Sequence, residues 1–105
     1  MRKQSDKQPT FQVLQTSSSH EPFDVPYYRL KNKVLNAFAY TDHCIGNFVS
    51  YLKKSGRWNR SLIILVPDHL GCYPEDISSF TLERYQIPML WLGGAIKNPQ
   101  RVSTY

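Results

Sequence analysis

The feature that most constrains the fold of this chain is an amphipathic segment over residues 28–55. Its apolar residues recur at spacings of three, four and seven, which places them along one face of a helix. These residues are Leu30, Val34, Phe38 or Ala37, Ile45, Phe48, Val49 and Leu52. Pro26 precedes the segment. Lys53 and Lys54 would offset the negative end of the helix dipole, and Gly56 suits a left-handed cap. The sequence therefore predicts one long helix.

Three apolar runs around this helix have the composition of β-strands. They are TFQVLQT at 10–16, SLIILVP at 61–67 and IPMLWLGG at 87–94. The second run is continuously apolar, as in a strand that is buried on both faces. A strand, a helix and a strand in succession form a right-handed crossover between parallel strands. The sequence therefore predicts an α/β fold over residues 10–105, a partial three-layer sandwich with a mostly parallel sheet and a long crossover helix, and a frayed segment at 1–9.

Composition and charge narrow the class of protein. The chain has 105 residues, 41% of them hydrophobic and 13% aromatic, which fits one globular domain with a modest core. No run approaches the roughly 18 apolar residues of a membrane helix. Much of the net charge of +5 comes from basic residues in or beside the helix. This pattern is more typical of a solvated helix face than of a nucleic-acid groove, so no nucleic-acid partner is expected. Two cysteines, Cys44 and Cys72, do not make a disulfide framework and are expected as thiols.

A candidate site lies where the second predicted strand ends, at Asp68 and His69. Parallel sheets place their sites at the carboxyl ends of strands, and Zn²⁺ or Mn²⁺ accepts both imidazole nitrogen and carboxylate oxygen. Gly71 and Pro74 indicate a turn that would let both side chains reach one ion. The alternative is that Asp68 only caps the turn, which is the commoner role for such a residue. Cys72 could add a third ligand, although most loop cysteines bind no metal.

A histidine in the first predicted loop is a second candidate. His20 lies in SSSHEPFD, on the rim where the loops after the first and second strands would meet. Such loops often contact substrates, although a loop histidine is commonly just exposed. Glu21 and Asp24 could orient its ring. A further Asp-His pair, Asp42 and His43, falls inside the helix and is expected to be a solvent-exposed carboxylate and ring.

Three segments occur in an order that indicates a known family. They are FQVLQTSSSHEPFDVP, LNAFAYTDHCIGNFVSYLKKSGRWNRSLIILVPDH and ERYQIPMLWLGGAIK. Between Pro9 and about Arg101 the chain resembles the C-terminal half of the catalytic domain of lipoteichoic-acid-synthase-like sulfatases, in the alkaline phosphatase superfamily. The resemblance implies a Thr or Ser nucleophile that attacks a phosphate or sulfate ester at a divalent-metal centre, with Mn, Zn, Mg or Ca as the metal. It implies that Asp68 and His69 bind the metal and that His20 contacts the anionic group of the substrate.

The chain departs from the family pattern at several positions. Leu70 follows the Asp-His pair where the family usually has glycine, which could shift the loop, and Gln86 stands where relatives often have histidine. The family's nucleophile and early acidic ligand lie upstream of the position of Phe11. The hydroxyl residues at 16–19 do not match the nucleophile motif. We therefore expect no catalytic residue in this chain. It is expected to be a piece of a longer enzyme, inactive alone, with a metal site that could stay unoccupied.

The resemblance leaves two functions open. The first is that the chain forms part of a metal-dependent sulfuric-ester hydrolase, or of a phosphoglycerol-transferase-like enzyme. The substrate of either enzyme is an anionic ester. The alternative is a non-catalytic, truncated relative that self-associates or binds a partner, because uncovered sheet edges invite association. Relatives hold this domain on the extracytoplasmic or periplasmic side, tethered to the membrane by helices outside the segment that is matched here.

Overall fold

The computed structural model describes residues 8–71, 77–78 and 80–103. Its elements, in chain order, are helix α1 (Lys33–Lys54), a 3₁₀ turn (Trp58–Arg60), strand β1 (Ile63–Leu65), a second 3₁₀ turn (Leu82–Tyr85) and strand β2 (Leu90–Leu92). The chain divides into two compact units, Met1–Asn47 and Phe48–Tyr105. In the part of the chain that the structure describes, no helix is both long enough and apolar enough to cross a membrane.

Helix α1 confirms the predicted long helix but begins at Lys33 instead of Tyr28. The helix begins here because Asn32 caps it. The Oδ1 atom of Asn32 accepts a hydrogen bond from the backbone N–H of Leu35 at 3.0 Å. Asparagine is among the best residues for this position, since its side chain satisfies an N–H group that has no partner inside the helix.

The segment before α1 is held by a buried side chain, Asn36, which is 6% exposed. Its Oδ1 atom accepts hydrogen bonds from the backbone N–H groups of Arg29 at 2.9 Å and Leu30 at 3.0 Å. Its Nδ2 atom donates to the carbonyl oxygen of Tyr27 at 2.6 Å. These hydrogen bonds hold the backbone before α1 in a non-helical conformation. The prediction of helix over 28–32 is therefore wrong.

The C-terminal end of α1 agrees with the sequence prediction. Lys53 and Lys54 lie in its last turn. Gly56 has a φ of 76°, in the left-handed region that glycine adopts without steric cost. The N–H of Gly56 donates to the carbonyl of Lys53 at 3.3 Å, and the N–H of Arg57 donates to that of Leu52 at 3.0 Å. This pair of bonds is the Schellman motif, which satisfies carbonyl groups that the helix leaves free.

Few apolar side chains among the described residues are buried. Val25 and Ala37 are buried in the first unit, and Leu52 is buried in the second. Many larger apolar side chains remain exposed, including Phe11, Leu14, Tyr28, Phe80 and Leu82. The described residues therefore combine few buried apolar side chains with hydrogen bonds at helix ends and turns.

The two strands form an antiparallel pair in which Ile64 lies opposite Trp91. A helix with a small sheet agrees with the α/β class. The predicted parallel arrangement, however, does not occur among the described residues, whose only strand pairing is antiparallel. The strand predicted over 61–67 forms only over the three residues of β1, and Ile64 is 45% exposed instead of buried. The strand predicted over 87–94 forms only over β2. A continuously apolar strand is buried only when other layers cover both of its faces.

The prediction of a strand over 10–16 is wrong. These residues lie in neither helix nor strand, and the side chains of Phe11 and Val13 are 91% and 81% exposed. Alternation of polar and apolar residues favours a strand only where a neighbouring strand offers backbone partners. The frayed N-terminus was predicted over 1–9, of which residues 1–7 lie outside the described part of the chain.

Two glycines predict opposite responses to the same substitution. Gly93 has a φ of 119°, and a Cβ atom there would overlap the carbonyl oxygen of Ser61. Gly46 lies within α1 with open space around it. We expect Gly93→Ala to lower the free energy of unfolding by about 2 kcal/mol or more. Gly46→Ala should raise it by about 0.5–1 kcal/mol, because alanine loses less backbone entropy in a helix.

Urea denaturation followed by far-ultraviolet circular dichroism measures both changes. A Gly93→Ala variant as stable as the parent chain would contradict the close approach of this glycine to Ser61.

Candidate functional site

Asp68 and His69 lie in the turn that follows β1. The backbone N–H of His69 donates to Oδ1 of Asp68 at 2.8 Å, and Nε2 of His69 lies 3.6 Å from Oδ2 of Asp68. One carboxylate oxygen therefore accepts from the next residue along the chain. The other oxygen faces the imidazole ring. Adjacent residues of a straight strand would point to opposite faces, so the turn is what brings the two side chains together.

The imidazole ring of His69 is oriented by a main-chain acceptor. Its Nδ1 atom lies 2.7 Å from the carbonyl oxygen of Leu70. A carbonyl oxygen can only accept a hydrogen bond, so Nδ1 is the donor in this contact. Metal-binding histidines usually donate their second ring N–H to a carbonyl or carboxylate in this way. The contact sets the direction of the ring and leaves Nε2 as the nitrogen that faces Asp68.

The Asp68 and His69 pair fits two positions in the coordination shell of one cation. Oxygen and nitrogen ligands about 2.0–2.2 Å from a tetrahedral Zn²⁺ ion are about 3.4 Å apart. The observed separation of Oδ2 and Nε2 is 3.6 Å. The side chains of Asp68 and His69 are 81% and 50% exposed, so the donor atoms are accessible. Within the described ranges, no group of three or more His, Cys, Asp or Glu side chains could hold a metal ion.

A catalytic metal usually takes about three protein ligands. The pair would therefore supply part of such a shell. Cys72, considered above as a third ligand, and Pro74, considered as a turn residue, both lie outside the described residues.

A residue that the sequence patterns did not single out contacts this turn. The carbonyl oxygen of Arg84 accepts a hydrogen bond from the N–H of Leu70 at 3.0 Å, and its guanidinium group donates to the carbonyl of Gly71 at 3.3 Å. Arg84 lies in the second 3₁₀ turn. Neither periodicity nor a local motif relates two such segments of the chain, so no sequence signal could have identified the contact.

His20 lies in a tight turn of the first unit. Its N–H donates to the carbonyl of Ser17 at 3.1 Å, and its own carbonyl accepts from the N–H of Phe23 at 2.9 Å. Its Nδ1 atom lies 2.9 Å from the carbonyl oxygen of Glu21, so Nδ1 carries a proton. The backbone of Glu21 therefore orients the ring, and its carboxylate does not. The carboxylate of Asp24, the other residue considered for this role, forms an ion pair with Lys33 at 2.6 Å.

The loop that carries His20 is fixed to α1 by hydroxyl groups. Oγ of Ser18 lies 2.9 Å from Oγ1 of Thr41, and Oγ1 of Thr41 donates to the carbonyl of Ala37 at 3.2 Å. Thr41 has only one hydroxyl proton, so Ser18 is the donor in the first bond. Phe23 has a φ of 61°, an uncommon value for a bulky residue. The surrounding hydrogen bonds thus hold the His20 loop in a specific conformation.

The three residues predicted to form a site belong to different units. His20 lies in the first unit, and Asp68 and His69 lie together in the second. Oδ2 of Asp68 and Nε2 of His69 lie 3.6 Å apart. Metal binding by this pair and a common rim shared with His20 stay predictions.

The second Asp-His pair differs from the first. Asp42 and His43 are exposed on α1, as predicted, and Nδ2 of Asn47 lies 3.3 Å from Nε2 of His43. Cys44 is a free thiol, also as predicted, and its interaction with Tyr40 raises the pKa of the Tyr40 hydroxyl through a hydrogen bond and charge repulsion. On this helix surface, His43 therefore contacts Asn47, whereas His69 in the turn after β1 faces its neighbouring aspartate.

Comparison with known proteins identifies the family. Residues 1–105 match the family model described as Sulfatase, and the chain belongs to the sulfatase family. The match also supports the alkaline phosphatase superfamily. Sulfatases generally use a divalent metal ion. No solved structure matches the chain.

Proposed function

We propose that this chain is part of a lipoteichoic-acid-synthase-like sulfatase, which hydrolyses a sulfate ester or transfers a phosphoglycerol-type group. In this proposal Asp68 and His69 bind a divalent metal ion, and His20 contacts the anionic group of the ester. The observation that carries the proposal is the 3.6 Å separation of Oδ2 and Nε2 in a sulfatase-family chain. The order of the family motifs along the sequence supports the same assignment.

Each proposed site residue has a distinct role. A divalent cation, when bound, supplies a Lewis acid that polarises an ester oxygen. Asp68 contributes a negative charge to such a site, and His69 contributes an imidazole nitrogen whose direction is set by the Leu70 carbonyl. In His20, Nδ1 is engaged by the carbonyl of Glu21, which leaves Nε2 as the ring nitrogen that contacts the anionic oxygen in this proposal.

We also propose that β1 belongs to a mostly parallel sheet in a three-layer sandwich in the complete enzyme. Leu62, Ile64 and Val66 are apolar, yet each is 45% exposed or more. These residues lie in or directly beside β1 in a continuously apolar run, which is the composition of a strand covered on both faces. Their exposure supports additional layers in the complete enzyme.

Metal binding tests the roles of Asp68 and His69. In isothermal titration calorimetry with Mn²⁺ or Zn²⁺, we expect the Asp68→Ala, His69→Ala double variant to bind at least about 100-fold more weakly than the parent chain. The reason is that losing even a residue that merely orients a ligand costs about 10- to 100-fold.

The matched control is Asp42→Ala, His43→Ala, which removes the same two residue types from the surface of α1. This variant should bind as the parent chain does. Equal affinities for all three proteins would contradict the proposed metal site.

Catalysis by the isolated chain gives a second prediction. With Mn²⁺ present, we expect residues 1–105 to hydrolyse neither an aryl sulfate nor an aryl phosphodiester above the buffer rate. No residue matches the family's nucleophile motif, and the hydroxyl proton of Ser18 is donated to Thr41. Hydrolysis that disappears in His69→Ala would contradict the proposed incompleteness of the site.

A second candidate function is a self-associating module. It is favoured by the exposure of apolar side chains on the two-stranded sheet, since Ile64, Leu90 and Trp91 are 45%, 54% and 54% exposed. Small sheets with uncovered edges and faces tend to pair with another chain.

Sedimentation at rising concentration tests this candidate. We expect the parent chain to form dimers or larger species and Ile64→Lys to remain a monomer, because a charge would be placed on the sheet. Val102→Lys adds the same charge at another exposed apolar residue, 70% exposed, and should associate like the parent. A strictly monomeric parent chain would exclude self-association.

A further inference from the structure

We propose that a cavity in the first unit binds a small amphipathic anion, that is, a molecule with an apolar body and one anionic group. The cavity has a volume of about 630 Å³, and its lining residues all fall between Phe23 and Asn36. Small-molecule sites typically measure about 300–1,000 Å³. The inference does not depend on Asp68 and His69 as metal ligands, because both lie in the second unit.

The shape of the cavity depends on Asn36, which lines it and is 6% exposed. Its side chain binds the carbonyl of Tyr27 and the N–H groups of Arg29 and Leu30. These three bonds hold the backbone of residues 27–30 against the start of α1. A cavity that is formed before the ligand arrives lowers the cost of ordering on binding.

An ion pair gives the cavity a second constraint. Asp24 and Lys33 both line it, and Oδ1 of Asp24 lies 2.6 Å from Nζ of Lys33. Phe23, another lining residue, donates its backbone N–H to the carbonyl of His20 at 2.9 Å. The segment that enters α1 is therefore held both by side-chain contacts with the helix and by its own turn.

The apolar part of the lining offers a surface for an apolar body. Val25 is 8% exposed, whereas Leu30 and Tyr28 are 50% and 90% exposed. Phe23 and Pro26 also line the cavity. A concave, largely apolar lining with a few polar groups is typical of small-molecule sites, and covering exposed apolar side chains is favourable.

The charged side chains of the cavity favour an anion. Lys31 and Lys33 line it together with Asp24. Asp24 engages the charge of Lys33, whereas the ammonium group of Lys31 forms no ion pair with any residue that the structure describes. A single cation beside an apolar surface complements a ligand with one negative charge and an apolar body.

The test is a ¹H–¹⁵N NMR titration of the full chain at neutral pH with phenylbutyrate, its neutral amide and phenylbutylammonium. We expect phenylbutyrate to shift the amide signals of residues 23–36 until they saturate. It should bind about 3- to 5-fold more tightly than the neutral amide, as is typical of an exposed ion pair. The cationic probe should bind more weakly than both.

Variants separate the contributions of charge and apolar contact. Lys31→Gln should abolish the preference for the carboxylate, and Lys31→Arg should keep it, which distinguishes loss of charge from loss of folding. Leu30→Asn should weaken the binding of all three probes by about 5-fold, because it removes apolar contact. The matched controls Lys97→Gln and Leu82→Asn change exposed residues of the second unit and should leave every affinity unchanged.

Three results would overturn the proposal. The first is equal affinity for the carboxylate and the amide, or a Lys31→Gln variant that keeps the preference. The second is a set of shifts confined to exposed residues of the sheet, such as Ile64 and Trp91. The third is a response of residues 23–36 to dilution of the chain and not to the carboxylate, which would assign the cavity to a second copy.

Discussion

The hydrogen bond between Nδ1 of His69 and the carbonyl of Leu70 sets the direction of the imidazole ring in the turn after β1. It leaves Nε2 facing Oδ2 of Asp68 at 3.6 Å. The proposed metal site depends on this arrangement. The carbonyl and the guanidinium group of Arg84 bind backbone groups on either side of the Leu70 carbonyl and connect the turn to a second segment of the chain.

The first unit obtains its local order in a comparable way. Asn36 binds three backbone groups of the segment before α1, and Ser18 fixes the His20 loop through Thr41. Few apolar side chains of the described residues are buried, and these polar contacts fix the local conformation of the segments that they join. Polar side chains hold the segments that carry His20, while much apolar surface stays exposed.

The sequence predicted those features that depend on local chemistry. The apolar stripe, the two lysines in the last turn and Gly56 predicted α1 and its C-terminal end, because a helix closes its hydrogen bonds within itself. The start of α1 was misplaced because Asn36 competes for the backbone of Arg29 and Leu30, and nothing in the periodicity indicates that competition. The strand predicted over 10–16 is wrong for a different reason, since a strand requires a partner strand that an individual segment does not specify. The predicted parallel sheet also depends on partner strands, and it stays a proposal for the complete enzyme.

The site was predictable to a similar extent. Asp68 and His69 became candidates through their position after an apolar run and the family resemblance, whereas the contacts with the Leu70 carbonyl and with Arg84 could not be predicted. The most direct measurement is a crystal structure of the chain soaked in Mn²⁺, with an anomalous difference map. The account predicts a peak about 2.0–2.3 Å from both a carboxylate oxygen of Asp68 and Nε2 of His69. A well-ordered turn with no peak between these atoms at saturating Mn²⁺ would contradict it.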